Sequence, residues 1–375
     1  MKILYGIQGT GNGHISRARE MARVFQALDC EVDYYFSGRA ADKFFDMSCF
    51  GDFQVGKGLT FVTEQGCVQK WKTWRQLNLG YFRQEVKALD LSDYDLVLND
   101  FEPVTAWAAK QQQVPSLSLS HQAAFLHHVP KVNDSLFDRL LTRYFAPTQY
   151  QIGLHWYHFN CPILPPIIPC FDKPSINQVS FILVYLPFES LTQITELLSH
   201  FQQINFVCYH PDIEVESQWQ NVQLKPLSRD GFHHHLHHLH QCKGVVANGG
   251  FELPSEAISL GKKLLLKPLQ GQFEQSSNVA TLAMMGLAHV TQSLDITTMR
   301  VWLDSESVGR VKIPDVASEV GKWLLSGDWD DITTLQNTLW SQVEFPELVC
   351  EVMSEHYPES QYITSNLSLT KPLMK

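Results

Sequence analysis

GIQGTGNGHISRAREMARVF, residues 6–25, follows the short apolar run Lys2-Ile3-Leu4-Tyr5. It carries glycines at positions 6, 9, 11 and 13 and a histidine at 14, where a first strand should turn into a first helix. Ile15, Ala18, Ala22 and Phe25 then recur at helical spacing. Glycine at such positions lets a ligand or a second backbone come close. The helix that follows points its N-terminal amides at whatever sits there, which favours anions and electron-rich oxygens.

Three chemistries compete for the turn. A P-loop requires G-x-x-x-x-G-K-[ST], and the turn lacks it. The near match at Gly51 to Gly56-Lys57 continues into Gly58, without the hydroxyl that meets magnesium. A dinucleotide site requires G-x-G-x-x-G and an acidic residue closing the second strand. Here the third glycine comes one position early and the strand closes on Ser37-Gly38-Arg39, so only an NADPH enzyme using Arg39 survives. In the third reading His14 points into a cleft as a base, with Gly9, Gly11, Asn12 and Gly13 forming an acceptor or phosphate loop.

Strand-like and helix-like segments alternate along the whole chain. Ile3 to Ile7, Glu31 to Phe36, Asp95 to Leu98 and Val114 to Leu119 read as strands. Five prolines between Cys161 and Pro174 block helix and ladder alike and mark a linker. The alternation then restarts with Phe181 to Tyr185, Asn205 to Tyr209, Gly244 to Ala247 and Leu264 to Leu266. The expected fold is α/β, with two Rossmann-like parallel-sheet domains facing an interdomain cleft. Their bounds are 1–160 for the N-terminal domain, 161–174 for the linker and 175–328 for the C-terminal domain. A helical return and tail, 329–375, complete the chain.

Composition narrows the class. The 375 residues carry a formal charge of −10, which argues against a nucleic-acid partner. Eight scattered cysteines without a C-x-x-C pair read as free thiols in a reducing compartment. Neither a leader nor an apolar run long enough for a membrane span is visible, so a cytoplasmic protein is expected.

A second stretch decides between the readings: NGGFELPSEAISLGKKLLLKPLQGQFEQSSNVATLAMMGLA, residues 248–288. Gly249-Gly250 make another bare turn, Ser255-Glu256 open a helix, and Gln272, Glu274, Gln275 and Asn278 follow the next strand. This stretch resembles the donor-nucleotide region of GT-B glycosyltransferases of the family 28 type, which includes the N-acetylglucosaminyltransferase of peptidoglycan lipid synthesis. Asp100-Phe101-Glu102-Pro103 and Tyr185 to Ser190 resemble, more closely, a little-characterised bacterial and archaeal group of glycosyltransferases. Lys263 departs from the pattern, which has proline there, and the run at 272–275 is spaced one residue differently.

The resemblance implies a hexosyltransferase of the GT-B type that takes a nucleotide sugar, with UDP as nucleotide. It implies an inverting reaction without metal or other cofactor, in cell-envelope or glycoconjugate synthesis. Glu256 would hold the ribose hydroxyls, Gln272, Glu274 and Gln275 would face the sugar, and Gly249 and Gly250 would admit the diphosphate. His14 is the candidate base with Asp100 orienting it, and Glu102 is the rival base. Arg17 reads as a helix-surface arginine, with a contact to phosphate or acceptor as the alternative, and Asn278 as a support for the turn.

The acceptor stays open between a lipid-linked carrier and a polysaccharide. Lys70, Lys72 and Arg75 could meet anionic headgroups on the inner face of a membrane, or form a solvated surface. The histidines between His233 and His240 read as the wet side of a helix whose stripe is Phe232, Leu236, Leu239 and Cys242, with no metal. Three alternatives remain: a UDP-sugar epimerase of the same fold, an NADPH-dependent oxidoreductase, and a non-catalytic sensor of nucleotide sugars.

Overall fold

The computed structural model describes residues 1–59, 63–64, 67–68, 78–171, 180–227 and 231–356. Two compact units divide the chain. The first comprises Met1–Glu64, Val68–Pro169 and Pro314–Trp340, and the second Gln65–Cys67, Cys170–Ile313 and Ser341–Lys375.

The first unit is built on seven strands: β1 (Lys2–Gln8), β2 (Glu31–Ser37), β3 (Phe53–Val55), β4 (Leu96–Asp100), β5 (Ser116–Ser120), β6 (Tyr150–Leu154) and β7 (Ile163–Leu164). Their order is β3-β2-β1-β4-β5-β6-β7, every pairing parallel. Parallel strands need crossovers, and helices supply them: α1 (Asn12–Ala27), α2 (Leu79–Ala88), α3 (Pro103–Gln112), α4 (His121–Ala124) and α5 (Leu136–Tyr144). Successive side chains of β1 serve opposite faces. Leu4 joins Val86, Val104 and Ala108 from α2 and α3, while the Tyr5 ring meets Phe25 of α1 edge-on at 6.4 Å. Burial on both faces is why these strands are continuous apolar runs rather than alternating ones.

The second unit repeats the plan. Its strands are β8 (Phe181–Tyr185), β9 (Asn205–His210), β10 (Ser217–Trp219), β11 (Val222–Pro226), β12 (Gly244–Asn248), β13 (Lys263–Lys267) and β14 (His289–Val290). They run β10-β11-β9-β8-β12-β13-β14, and only the β10–β11 pairing is antiparallel. The helices are α6 (Leu191–Ser199), α7 (Gly231–Gln241), α8 (Glu252–Ser259), α9 (Phe273–Met284) and α10 (Ile296–Asp304). Met299 and Trp302 of α10 fill one face of the sheet with Ile182, Val184, Phe206 and Leu265.

The chain re-enters the first unit at Pro314, earlier than the boundary expected at 328. Helix packing explains the difference. Helix α11 (Val316–Ser326) buries Val316, Ala317, Val320 and Leu324. Gly321 lets it approach α1 so closely that a Cβ there would lie 2.5 Å from Val24 Cγ1. Helix α12 (Ile332–Trp340) follows, and Trp340 Nε1 donates to Ile163 O at 2.7 Å. Helix α13 (Glu347–His356) belongs to the second unit. Among the described residues no helix is long and apolar enough to cross a membrane.

Both sheets share one property that positions a site. Strand order reverses between β1 and β4 in the first and between β8 and β12 in the second. Loops leaving the carboxyl ends of strands diverge at such points, and ligands of open α/β sheets bind there.

Candidate active site

In the first unit the glycine turn lies at the reversal point. Gly9 is held where no other residue fits: a Cβ would stand 2.7 Å from Phe44 Cζ and 2.8 Å from Ser37 O. Gly11 is the opposite, with nothing within 4 Å of where a Cβ would be. It is the N-cap of α1 and provides no side-chain cap. Asn12 instead accepts from both terminal nitrogens of Arg39 at 3.1 Å, and the Arg39 guanidinium lies over the Phe44 ring.

One turn into α1, His14 and Arg17 converge on Asp100, the last residue of β4. His14 Nδ1 lies 2.7 Å from Asp100 Oδ1. Arg17 Nε donates to Oδ2 at 2.8 Å and its NH2 to Oδ1 at 2.9 Å. The Asp100 side chain is wholly buried, whereas 13% of the His14 side chain remains exposed. Burial alone would push the Asp100 carboxyl up, but the Arg17 guanidinium and His14 beside it hold it below its ordinary value. An ionised carboxylate only accepts, so His14 Nδ1 carries the proton and Nε2 is left free to take one. Arg17 corrects the sequence reading: it is buried against Asp100, not displayed on the helix surface.

Glu102 is also corrected. It caps α3, accepting from Val104 N at 2.8 Å, Thr105 N at 2.6 Å, Thr105 Oγ1 at 2.7 Å and Ser37 Oγ at 2.6 Å. Burial pushes its carboxyl up and the four donors draw it back. A carboxylate so occupied has no lone pair left for a substrate hydroxyl, so its task is to join β2 to the start of α3. Glu102→Gln turns one acceptor into a donor facing donors. The expected cost is about 2 kcal/mol in a urea melt, with nucleotide affinity unchanged.

In the second unit β12 ends at Asn248 and the Gly249-Gly250 turn leads into α8. At Gly249 a Cβ would meet Val279 Cγ1 at 2.6 Å, and at Gly250 it would meet nothing within 4 Å. The N-cap of α8, Phe251, again gives no side-chain cap. Elsewhere the starts of helices are closed by side chains: Asn78, Ser120, Ser135, Ser190, Asp295 and Asp315 all do so. The helices that follow the glycine turns, α1 and α8, have no such side-chain cap, and a helix start without a side-chain cap favours an anion.

Around this turn the donor candidates divide into fasteners and exposed groups. Gln275 Oε1 accepts from Gly249 N at 3.2 Å and Leu269 N at 3.0 Å, stapling two loops together. Its Nε2 donates to nothing among the described residues. Gln272 caps α9 by accepting from Gln275 N, and Asn278 Nδ2 donates to Gly249 O at 3.1 Å. Glu274 lies in the first turn of α9, half-buried. Glu256 is buried in the second turn of α8, because the helix begins at Glu252 rather than at Ser255 as the sequence suggested. Pro254 is tolerated there within the first turn. Sequence reasoning missed Lys267 and Glu189, whose side chains pair at 2.6 Å at the same edge of the sheet.

The histidine helix is a further correction. His238 Nδ1 lies 2.8 Å from the Tyr209 hydroxyl, and the His235 ring meets Tyr185 and Tyr209 edge-on. These two histidines therefore face inward with Leu239 and Cys242 instead of facing water. Among the described residues no group of three or more His, Cys, Asp or Glu is placed to hold a metal ion. Lys70, Lys72 and Arg75 lie outside the described residues.

Two sheets of mainly parallel strands, each with a bare glycine turn at its reversal point, have the architecture of the GT-B fold. Solved structures agree at the level of fold. SsfS6 from Streptomyces sp. SF2575, complexed with thymidine diphosphate, matches with a TM-score of 0.55 at 11% identity, covering 95% of this chain and 99% of its own. SnogD from Streptomyces nogalater gives 0.52 at 14%, covering 88% and 96%. CalG4, the calicheamicin glycosyltransferase, gives 0.53 at 13%, covering 99% and 100%. No curated protein matches in sequence. The profile of the family described as Glycosyl transferase family 1 matches residues 1–305, and the chain belongs to that family. Membership sets aside the dinucleotide reading of the first turn.

Proposed function

We propose that this glycosyltransferase moves a sugar from a nucleoside diphosphate carrier, with uridine as the base, to an acceptor hydroxyl, inverting the anomeric carbon. The observation that carries the reading is the His14–Asp100 pair at 2.7 Å beside the uncapped start of α1. His14 Nε2 takes the proton of the acceptor hydroxyl as its oxygen bonds to the anomeric carbon. The bond from that carbon to the β-phosphate oxygen breaks, and its electron pair leaves with the diphosphate. A single displacement of this kind inverts the centre.

The departing charge is met by the positive end of the α8 dipole, whose N-cap Phe251 gives no side-chain cap and which the bare Gly250 turn lets a ligand approach. The reading gives that task to the helix and requires no metal. Glu256 accepts from the ribose hydroxyls, and Gln275 Nε2 donates to the sugar. Uridine rests on the sequence resemblance, and a nucleotide at this fold is supported by the thymidine diphosphate held by SsfS6.

Calorimetric titration with UDP and TDP, with GDP and NADPH as controls, tests the donor half. UDP is expected to bind, and Glu256→Ala to weaken it at least tenfold, about 1.4 kcal/mol. Binding of NADPH without either pyrimidine nucleotide would sink the reading.

A further inference from the structure

The carboxyl edge of the second sheet carries an ion pair that the mechanism above leaves without a task. Lys267 closes β13, and its Nζ lies 2.6 Å from Oε1 of Glu189 in the loop after β8. Asn248, the last residue of β12, sits between them. Its Nδ2 donates to Lys267 O at 3.0 Å and lies 3.5 Å from Glu189 Oε1. His210 Nε2 anchors the Glu189 carbonyl at 2.9 Å. Three strand ends thus meet at the reversal point, directly before the Gly249-Gly250 turn.

Two features of this cluster are poor stability devices. The Lys267 and Glu189 side chains are largely buried, 15% and 20% exposed, and a buried ion pair loses to desolvation much of what its attraction gains. Asn248 is only 7% exposed, and its Oδ1 is buried without a hydrogen-bond donor among the described residues. Such an acceptor carries a desolvation cost that nothing in the fold offsets. Because Nδ2 faces a carbonyl and a carboxylate, both pure acceptors, the amide is fixed in this orientation and Oδ1 cannot trade places with it.

We infer that Lys267 binds the diphosphate of the donor, while Asn248 Oδ1 accepts from a hydroxyl or N–H of the same molecule. The inference rests on the proposed function and names the cation of its donor site. A diphosphate brings more negative charge than the single carboxylate of Glu189, so the ammonium can turn to it over a short arc. Glu189 keeps the lysine extended along the sheet edge in the meantime. With the start of α8 next in the chain, the leaving group would meet a full positive charge as well as a helix dipole.

The test uses the full chain, with UDP, inorganic pyrophosphate and uridine as probes, on wild type, Lys267→Met and Lys267→Arg. Lys267→Met is expected to weaken UDP and pyrophosphate at least tenfold and to leave uridine within twofold by ligand-observed NMR. Lys267→Arg should recover most of the loss. Unchanged UDP and pyrophosphate binding in Lys267→Met, or an equal loss of uridine, would overturn the assignment. Should wild type bind pyrophosphate but no nucleotide, and Lys267→Met lose it, the donor reading fails while the anion site stands. If wild type binds neither, both fall. Lys267→Gln, which keeps a donor toward Glu189, carries the same comparison if the methionine variant melts below the assay temperature.

Discussion

His14→Ala is expected to lower glycosyl transfer by a factor on the order of 10² to 10⁴, the usual contribution of a positioned general base, while nucleotide affinity stays within twofold of wild type. The split follows from position. His14 lies in the first unit beside Asp100, whereas the nucleotide-contact candidates Gly249, Gly250 and Glu256 lie in the second. Asp100→Asn should cost a similar factor for a different reason. An amide can present either a donor or an acceptor to Nδ1, so the tautomer that frees Nε2 is no longer enforced. It also removes the charge that Arg17 grips through two nitrogens, so part of its effect will be lost stability. Initial rates of UDP release, with calorimetry on the same preparations, separate the two effects. A His14→Ala enzyme within threefold of wild-type rate would end the role of His14 as base. A parallel loss of nucleotide affinity would instead mean that His14 supports the fold of the whole site.

The sheets were legible in the sequence because parallel strands buried on both faces must be apolar throughout. Ile3 to Ile7 runs straight into the glycine turn, and Leu264 to Leu266 lies between Gly261 and Pro268, which holds both runs to strand length. The parts that escaped depend on which side of a helix faces which neighbour. Arg17 follows His14 by three residues, so the two share a face, and that spacing was the available signal for their joint grip on Asp100. Glu102 directly before Pro103, with Thr105 three residues after Glu102, has the form of a helix start, with proline at the first helical position. Its carboxylate invited a catalytic reading all the same. In the histidine helix, positions 235, 238, 239 and 242 form a stripe as regular as 232, 236 and 239. Only the aromatic rings of Tyr185 and Tyr209, supplied by other strands, decide between them. Lys267 had no local signal, since its partners are Glu189 in the loop after β8 and Asn248 at the end of β12, both distant in the chain.

Lowering the pH from 7 to 5 is expected to remove about 2 kcal/mol of stability from the first unit through His158, with a further loss of the same sign from His155. His155 and His158 are buried and serve as acceptors: Trp156 N–H donates to His155 Nδ1 and Asn160 N–H to His158 Nδ1, each at 2.9 Å. Both bonds require an unprotonated Nδ1. Burial pushes His158 down to about 4, and His155, with His121 also beside it, well below its ordinary value. In the unfolded chain each takes up a proton near its ordinary value of 6.5. A depressed folded value means that the unfolded state binds more protons between those limits. For His158 the contribution is therefore complete above about 6.5 and is lost as the pH falls toward 4, about 2 kcal/mol by pH 5, and His155 adds a loss of the same sign. Asp100, held low by Arg17, gives way only at more acid pH, and Glu102, raised by burial, works in the opposite direction. In the second unit the half-buried His235, pushed down to about 4, adds a smaller loss of the same sign. Urea unfolding at pH 7 and pH 5 measures the effect, and His158→Asn, which keeps an acceptor for Asn160 N–H, should flatten the difference by about 2 kcal/mol. Equal unfolding midpoints for wild type at the two pH values would show that these rings accept protons inside the fold, and that their burial is relieved by a movement the folded core does not otherwise require.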